Sequence, residues 1–232
     1  MKDKNILIVG GATGIGASLV NHALQAGANV WASSRNPENL PAGVNPLQWD
    51  VTGEISGEGL PASIDALAYC PGTINLKPFR GLKLEAFRDD LEVNLMGAIK
   101  VLKVAEKALK ASGNASVVLF STVAVGQGMP YHSSVAASKG AIEGLGRSLA
   151  AEWAPTVRVN TVAPSLTDTP LATRLLSNDD RKEAAAKRHP LKRFGLAEDI
   201  GQAAWFLLTE QSSWISGQVL GVDGGMSSLR PV

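Results

Sequence analysis

Residues 121–139 of this chain include several side chains that can donate or accept protons. Ser121 and Thr122 carry hydroxyl groups, Tyr131 and His132 carry a phenol and an imidazole, and Lys139 carries an amine. His132 precedes Lys139 by seven residues, so the two side chains would share one face of a helix. An imidazole titrates near neutral pH and can act as an acid or a base. The segment is therefore a candidate for acid–base chemistry.

A glycine-rich loop near the N-terminus is a candidate for binding phosphate. The run Gly10-Gly11-Ala12-Thr13-Gly14-Ile15-Gly16 follows an apolar stretch at residues 6–9 and precedes a segment of helical character. Glycines allow a sharp turn and let a pyrophosphate approach the backbone, and the N-terminus of the next helix offers free N–H groups. Many strand-to-helix turns contain glycine for steric reasons alone, so the loop needs its strand and helix as context.

The elements that would position these residues alternate along the chain. Apolar runs occur at residues 6–9, 30–32, 66–70, 117–120, 157–162 and 219–222. Runs that are apolar throughout are typical of parallel strands covered on both faces. Between them, residues 95–109 and 142–153 have apolar side chains at helical spacing. The pattern predicts a three-layer α/β/α Rossmann fold with a doubly wound parallel sheet of about seven strands.

Composition excludes several functional classes. The chain has 232 residues and a formal net charge of +1, which suits one domain over residues 1–232 and argues against nucleic-acid binding. Its single cysteine, Cys70, and its three separated histidines show no metal-ligand spacing, so we expect no metal site. No apolar run is long enough to span a membrane, and we expect a cytoplasmic protein without membrane or nucleic-acid partners.

Six ordered segments together resemble the short-chain dehydrogenase/reductase family. The first is Gly10-x-x-x-Gly14-x-Gly16, which differs from the common G-x-G-x-x-G spacing. The others are Asp50-Val51, Asn94 within Val93–Gly97, Ser138-Lys139, the run at residues 160–169, and the C-terminal pattern at residues 193–200, 216–218 and 222–225. The resemblance covers essentially the whole chain. It implies a nicotinamide dinucleotide as cofactor and a dehydrogenase or reductase activity on a small-molecule substrate.

The resemblance also implies which residues form the two parts of the site. Candidate catalytic residues are Thr122, Ser121, Lys139, Asn94, His132 and Tyr131. Candidate cofactor-binding residues are Gly10, Thr13, Gly14, Ile15, Gly16, Ser34, Arg35, Asp50, Val51, Cys70, Pro71, Gly72, Lys139, Pro164, Thr167 and Thr169.

One position departs from the family pattern where a proton donor is expected. The family places a tyrosine four residues before its lysine, and here that position is Val135, which has no proton to give. The family serine, thirteen residues before the tyrosine, falls on Thr122, whose hydroxyl can still donate.

Three interpretations of this departure remain open. His132 or Tyr131 could replace the missing donor, although a polar residue that begins a helix is often only a surface residue. Alternatively, the chain binds the cofactor without doing chemistry, as a nucleotide-responsive regulatory module. In the third interpretation, the substrate needs no acid from the protein, as when an activated C=C bond accepts a hydride.

The residues after the second predicted strand indicate which dinucleotide binds. An acidic side chain there would accept hydrogen bonds from the adenosine ribose and repel a 2′-phosphate. This chain has Ser34 and Arg35 instead, and a guanidinium can pair with phosphate. We therefore expect NADP(H) rather than NAD(H), unless Arg35 is simply a solvated loop residue.

Other departures lead to structural expectations. Only about fifteen residues separate Asp50 from Asp65, and the glycine-rich residues 53–61 predict that the usual helix there is lost or reduced to a turn. Tyr69-Cys70-Pro71-Gly72 replaces the family's Asn-Asn-Ala-Gly, and Ser165 replaces a glycine. Residues 166–190 would form the family's substrate lid. Gly140, Gly144 and Gly146 could admit a helix of a second copy, and the resemblance implies a homo-oligomer, a dimer or most often a tetramer.

Overall fold

A computed structural model describes residues 1–230 of the chain. The strands are β1 (Asn5–Val9), β2 (Asn29–Ser34), β3 (Asn45–Gln48), β4 (Ala66–Tyr69), β5 (Ala115–Phe120), β6 (Val157–Pro164), β7 (Thr167–Asp168), β8 (Gly195–Leu196) and β9 (Val219–Val222). The helices are α1 (Gly14–Gln25), α2 (Leu84–Leu91), α3 (Gly97–Ser112), α4 (Val123–Gln127), α5 (Ser133–Trp153), α6 (Asp179–Arg188) and α7 (Ala197–Leu208).

Seven of the strands form one parallel sheet in the order β3-β2-β1-β4-β5-β6-β9. The chain first builds outward from β1 through β2 to β3, and then crosses back to place β4 on the other side of β1. The strand order reverses at this point, where parallel sheets bind ligands beyond the carboxyl ends of the strands. The predicted fold class and the strand number are confirmed.

Both faces of the sheet are covered by apolar side chains. On β1, Ile6 and Ile8 contribute to the core beneath α1 and α7, while Leu7 and Val9 contribute to the core beneath α3 and α5. All four side chains are fully buried, because a strand in the middle of a three-layer fold meets helices on both sides. This is why residues 6–9 of β1 are all apolar rather than alternating.

The connection between β3 and β4 has no helix, as the sequence predicts. Residues 51–65 form turns and irregular backbone. Ile55 and Leu60 still pack against the core on this side, and Ile64 is fully buried within it. The indole nitrogen of Trp31 donates to the carbonyl oxygen of Gly59 at 2.9 Å, which ties the loop to β2. A few anchored side chains therefore take over the cover that a helix would supply.

The segment between β6 and α7 combines a small sheet with one polar helix. Strands β7 and β8 pair in parallel, and α6 lies between them in sequence. Most of α6 is exposed, and Ala185 is its one buried residue. The charges at residues 179–183 therefore lie on a solvated helix face. A role for this segment as a substrate lid stays a prediction.

The three glycines of α5 have different surroundings, and a Cβ atom at Gly140 would lie 3.6 Å from Val125 Cγ1 of α4, an ordinary contact. A Cβ atom at Gly146 would lie 3.0 Å from Thr161 Oγ1, so this glycine lets α5 pack on its own sheet. Gly144 is exposed, and a Cβ atom there would meet nothing within 4 Å.

Across residues 1–230, no helix has both the length and the apolar character needed to cross a bilayer.

Candidate functional site

The glycine-rich loop turns sharply into α1. Gly10 and Gly14 have φ angles of +77° and +55°, a region that side chains with a Cβ atom rarely adopt. A Cβ atom at Gly16 would collide with the carbonyl oxygen of Gly10. Within residues 1–230, no side chain caps the N-terminus of α1 at Thr13. The first turn of α1 therefore keeps backbone N–H groups for an anion, as a pyrophosphate site requires.

Two other loops with predicted cofactor residues lie against this turn. A Cβ atom at Gly10 would be 3.2 Å from the ring of Pro71, in the loop after β4. A Cβ atom at Gly14 would be 3.3 Å from Thr169, in the loop after β7. Residues that are far apart in sequence thus meet at the carboxyl ends of β1, β4 and β6, and the backbone cradle fits a dinucleotide.

The residues expected to contact the adenosine half follow β2 and β3. Ser34 Oγ accepts a hydrogen bond from the backbone N–H of Asn36 at 3.1 Å, and Arg35 is exposed. Hydrogen bonds from the backbone and hydroxyl of Thr52 lower the pKa of Asp50, and the positive charge of Arg35 lowers it further. Arg35 therefore places a cation near Asp50, at the edge of the sheet beside the glycine loop.

A cavity of about 260 Å³ opens next to these loops. Its apolar lining includes Ile15, Leu76, Val123, Val135, Leu166, Leu171 and Leu175. Its polar lining includes Thr73, Thr122, His132, Lys139, Ser165, Thr167, Thr169 and His189. A mainly apolar cavity with a few polar groups is typical of a small-molecule site.

Lys139 is held at the wall of this cavity. Its side chain is only 7% exposed, and Nζ donates to the carbonyl oxygen of Phe120 at 2.9 Å. A Cβ atom at Gly72 would lie 3.4 Å from this Nζ, so glycine leaves room for the amine. Burial lowers the pKa of Lys139 to about 8, against the opposing influence of Cys70 and Asp90. The amine can therefore gain and lose a proton near neutral pH.

Asn94 connects the helices around Lys139 through buried hydrogen bonds. It lies in a π-helical turn over Glu92–Met96, a feature often found at functional sites. Its Nδ2 donates to Ser138 Oγ at 2.9 Å and to Thr73 Oγ1 at 3.2 Å. Its Oδ1 accepts from the backbone N–H of Thr73 at 3.1 Å. These bonds fix the start of α3 against α5 and the loop after β4.

Asp90 extends this network and was not predicted from the sequence. It is fully buried, and its Oδ1 accepts from Thr73 Oγ1 at 2.5 Å and from Asn75 Nδ2 at 2.7 Å. Among the described residues, Oδ2 has no hydrogen-bond partner. Asp90 precedes Asn94 by four residues, and this helical spacing is a signal that could have identified it.

Ser121 and Thr122 are adjacent in sequence but point to different partners. Ser121 Oγ donates to Glu143 Oε1 at 2.7 Å, so its hydrogen is committed to a carboxylate. Thr122 Oγ1 accepts from the backbone N–H of Ala124 at 3.3 Å and begins α4. Its own hydrogen remains available, and Thr122 lines the cavity. Thr122 is therefore the better placed of the two hydroxyls to polarise a bound carbonyl group.

His132 and Tyr131 are also placed differently. His132 lines the cavity, and its Nδ1 lies 2.8 Å from the carbonyl oxygen of Pro130. Because a carbonyl can only accept, Nδ1 carries a hydrogen, and Nε2 is left for another partner. Tyr131 is 58% exposed and is not among the cavity-lining residues. Its φ of +70° turns the chain immediately before α5.

Val135 lies on the cavity wall one helical turn before Lys139. It is 4% exposed, and its carbonyl oxygen accepts a hydrogen bond from Ser138 Oγ at 3.0 Å. A saturated side chain therefore occupies this position, and the cavity obtains its titratable groups from elsewhere.

Two residues at the end of β4, Tyr69 and Cys70, take structural roles. Burial raises the pKa of the Cys70 thiol to about 12, so it stays protonated and is a poor nucleophile. Tyr69 is buried, and its hydroxyl donates to the carbonyl oxygen of Val93 at 2.6 Å. This bond joins β4 to the Asn94 turn, where the sequence left the hydrogen bonding in doubt.

Comparisons with known proteins show which family this chain resembles. A family model described as enoyl-(acyl carrier protein) reductase matches residues 10–227. A tropinone reductase homolog of Arabidopsis thaliana is 35% identical, over 97% of this chain and 92% of the relative. The 3-oxoacyl-[acyl-carrier-protein] reductase FabG of Thermotoga maritima is 32% identical, over 97% of this chain and 98% of the relative.

A solved structure gives the same result for the fold. Gluconate 5-dehydrogenase from Burkholderia cenocepacia, in complex with NADP and tartrate, superposes with a TM-score of 0.91 at 25% identity. The match covers 99% of this chain and 97% of that one. The chain has the glycine turn and the buried Lys139 and Asn94, and its relatives match along nearly their whole length. It therefore belongs to the short-chain dehydrogenase/reductase family of oxidoreductases.

Proposed function

We propose that this protein is an NADP(H)-dependent oxidoreductase that acts on a small carbonyl or alcohol, or on an activated C=C bond, with an altered proton donor. The observation that carries the proposal is that Lys139, Thr122 and His132 line one mainly apolar cavity beside the glycine turn. When bound, the cofactor supplies or accepts the hydride.

The preference for NADP(H) is supported by the residues at the end of β2. Arg35 is exposed, and no acidic side chain occupies residues 30–35 to repel a 2′-phosphate. Its guanidinium can form paired hydrogen bonds with phosphate. The structure of gluconate 5-dehydrogenase with NADP is a further support, since that protein is similar in fold.

In the proposed reaction, the chain's own residues hold the substrate and supply the proton. Thr122 donates a hydrogen bond to the carbonyl oxygen and favours the negative charge that develops there. His132 gives the proton that converts the alkoxide to an alcohol from Nε2, which must carry this proton in addition to the hydrogen on Nδ1, because Nδ1 is committed to the backbone. Lys139 holds a positive charge near the site, and Asn94 keeps α3 and α5 in register around it. Tyr131 is the alternative donor, but its exposed side chain would first have to turn inward.

A nucleotide-binding module without catalytic activity is the second candidate function. Val135 favours it, since a buried valine on the cavity wall has no proton to give. In that case Lys139, Asn94 and the glycine turn would serve cofactor binding alone.

Single-turnover oxidation of bound NADPH separates these candidates. The protein is loaded with NADPH and mixed with a panel of ketones, aldehydes and activated alkenes, and the loss of NADPH absorbance is followed. If a carbonyl compound oxidises the bound NADPH, and this oxidation is at least tenfold slower in His132→Asn but not in Tyr131→Phe, the result supports His132 as the altered proton donor. Oxidation of alkenes alone identifies the activated C=C substrate. NADPH binding without oxidation by any compound supports the module, and full activity in both variants contradicts the role of these two residues.

We also propose that the protein forms a homo-oligomer. Gly144 on α5 is exposed and open, while Leu91, just before the Asn94 turn, and Met96, the last residue of that turn, are 38% and 41% exposed. These apolar and small residues suit contact with a second copy. Light scattering coupled to size-exclusion chromatography measures the mass, and a monomer at micromolar concentration contradicts this proposal.

A further inference from the structure

Ser165 and His189 meet on the cavity wall, although 24 residues separate them in sequence. Ser165 Oγ lies 2.9 Å from His189 Nε2. The histidine is 2% exposed, and both residues line the cavity that also contains Thr122 and Lys139. Neither residue has a part in the reaction described above.

The hydrogen positions in this pair follow from its second contact. His189 Nδ1 lies 2.7 Å from the carbonyl oxygen of Ala185, which can only accept, so Nδ1 carries a hydrogen. In the neutral imidazole, Nε2 then has no hydrogen and must accept. Ser165 therefore donates its single hydroxyl hydrogen to His189.

This arrangement leaves Ser165 Oγ as an acceptor without a donor. Met226 Sδ lies 3.0 Å from the oxygen, but a thioether has no hydrogen to give. In the part of the chain that the structure describes, no other group donates to Ser165 Oγ. The neighbouring wall is apolar, with Leu166 and Leu171, so a hydrogen-bond donor placed here would be recognised in a site with little competing water.

We propose that Ser165 determines substrate specificity by accepting a hydrogen bond from a hydroxyl or N–H group of the substrate. The substrate class is a carbonyl compound with an apolar body and one such donor away from the reacting carbon. His189 is the positioning residue, because it takes the serine hydrogen and so keeps the oxygen an acceptor. The inference rests on the proposed function for the identity of the reacting group.

Three matched groups of ligands test the hydrogen-bond direction: cyclohexanone itself, its ring-hydroxylated analogues, and the corresponding methoxy compounds. The hydroxyl can donate, whereas the methoxy oxygen can only accept. Dissociation constants are measured by calorimetry with NADP⁺ present, at mildly alkaline pH. Because binding is measured rather than turnover, the test remains valid for a protein that proves inactive. Loss of activity alone would contradict the proposed function and leave the binding comparison intact.

For the native protein, we expect at least one hydroxylated ligand to bind about tenfold more tightly than its methoxy counterpart. Ser165→Ala removes the acceptor and should abolish most of this advantage while the dissociation constant of NADPH stays within about twofold. His189→Leu frees the serine hydrogen, so the methoxy ligand should gain affinity relative to the native protein. Met226→Leu is the matched control, and the advantage should persist in it.

Three results overturn the proposal. The first is an equal preference for hydroxyl and methoxy ligands in the native protein, and the second is a preference that survives in Ser165→Ala. The third is a loss of NADPH affinity in Ser165→Ala with unchanged ligand discrimination, which would assign the serine to the cofactor instead. Circular dichroism verifies that each variant is folded, and the Ser165→Ala comparison is sufficient if His189→Leu does not fold.

Discussion

Lys139 Nζ donates a hydrogen bond to the carbonyl oxygen of Phe120 at 2.9 Å, across the gap between α5 and the end of β5. The bond holds the amine against the cavity at the level of Val135, one helical turn earlier. The amine is buried, and burial lowers the pKa of Lys139 to about 8 from an ordinary value of 10.5. A group with a depressed pKa of this kind makes the stability of the protein depend on pH.

The direction of this dependence follows from proton linkage. Below pH 8 the amine is charged in both states, and the folded protein bears the full cost of burying the charge. Between about pH 8 and 10.5 the unfolded chain binds more protons than the folded one, so the free energy of unfolding attributable to Lys139 rises with pH. We expect Lys139→Met to gain stability relative to the native protein at pH 7, and this gain to shrink by pH 10.

Urea unfolding of both proteins at pH 7 and pH 10 measures this change. The comparison concerns how the difference varies with pH, so a constant effect from losing the bond to Phe120 cancels. A difference that is the same at both pH values would show that Lys139 keeps its ordinary pKa in the folded state.

Val135→Tyr should increase carbonyl reduction by on the order of 10²-fold, because it supplies a phenol beside an amine that favours its ionised form. The side chain at this position already lines the cavity, so part of the added volume can be accommodated there. Steady-state turnover of a ketone found in the single-turnover panel is the measurement.

Val135→Phe is the matched control for this substitution, since it adds the same ring without the hydroxyl. Equal rates in the Tyr and Phe variants would show that position 135 does not limit the reaction. A higher rate in Val135→Tyr but not in Val135→Phe would assign the effect to the proton that the phenol donates.

Arg35→Ala should weaken NADPH binding by about ten- to a hundredfold, the range for losing a charge-assisted hydrogen bond to phosphate. The affinity for NADH should change by about twofold or less, because NADH has no 2′-phosphate. Fluorescence titration of both cofactors gives the ratio. Arg88→Ala, on the exposed surface of α2, is the control. If Arg35→Ala weakened the binding of NADPH and NADH equally, Arg35 would not be the residue that discriminates between the two cofactors.

Gly97→Ala should destabilise the protein by about 1–3 kcal/mol through overpacking. The added methyl group would collide with the hydroxyl oxygen of Tyr69, and it would also lie 2.9 Å from Val51 Cβ. Tyr69→Phe removes the oxygen and should relieve part of the collision, at the cost of the bond to Val93.

Chemical denaturation of both single variants and the double variant gives the coupling between the two sites. We expect the double variant to be more stable than the sum of the single effects. Strictly additive effects would mean that the contact with Val51, and not the one with Tyr69, causes the destabilisation by Gly97→Ala.

Much of the fold could be predicted from local patterns. The apolar runs identified the six strands β1, β2, β4, β5, β6 and β9, and the glycine turn identified the start of α1. The short, glycine-rich connection after β3 correctly indicated a missing helix. These predictions succeed because burial on both faces of a parallel sheet requires a continuous apolar run, which is visible in sequence.

The candidate site was less predictable. The sequence identified Thr122, His132, Tyr131 and Lys139 as candidates, but it could not tell that His132 lines the cavity and Tyr131 does not. The two residues are adjacent and lie where α5 begins, so no helical period assigns their directions. A positive φ at Tyr131 turns the chain there. Asp90 was missed because a charged residue in a helix is usually exposed.

By itself, the sequence determined the layered fold, the glycine turn for a dinucleotide, and the valine at position 135. Each of these depends on residue type and short-range spacing, which the chain carries locally. The tertiary structure alone decided that Ser165 meets His189 and that Asp90 joins Asn94 through Thr73. Such contacts depend on how loops from different strands approach one another, and irregular backbone has no period from which side-chain direction could be predicted.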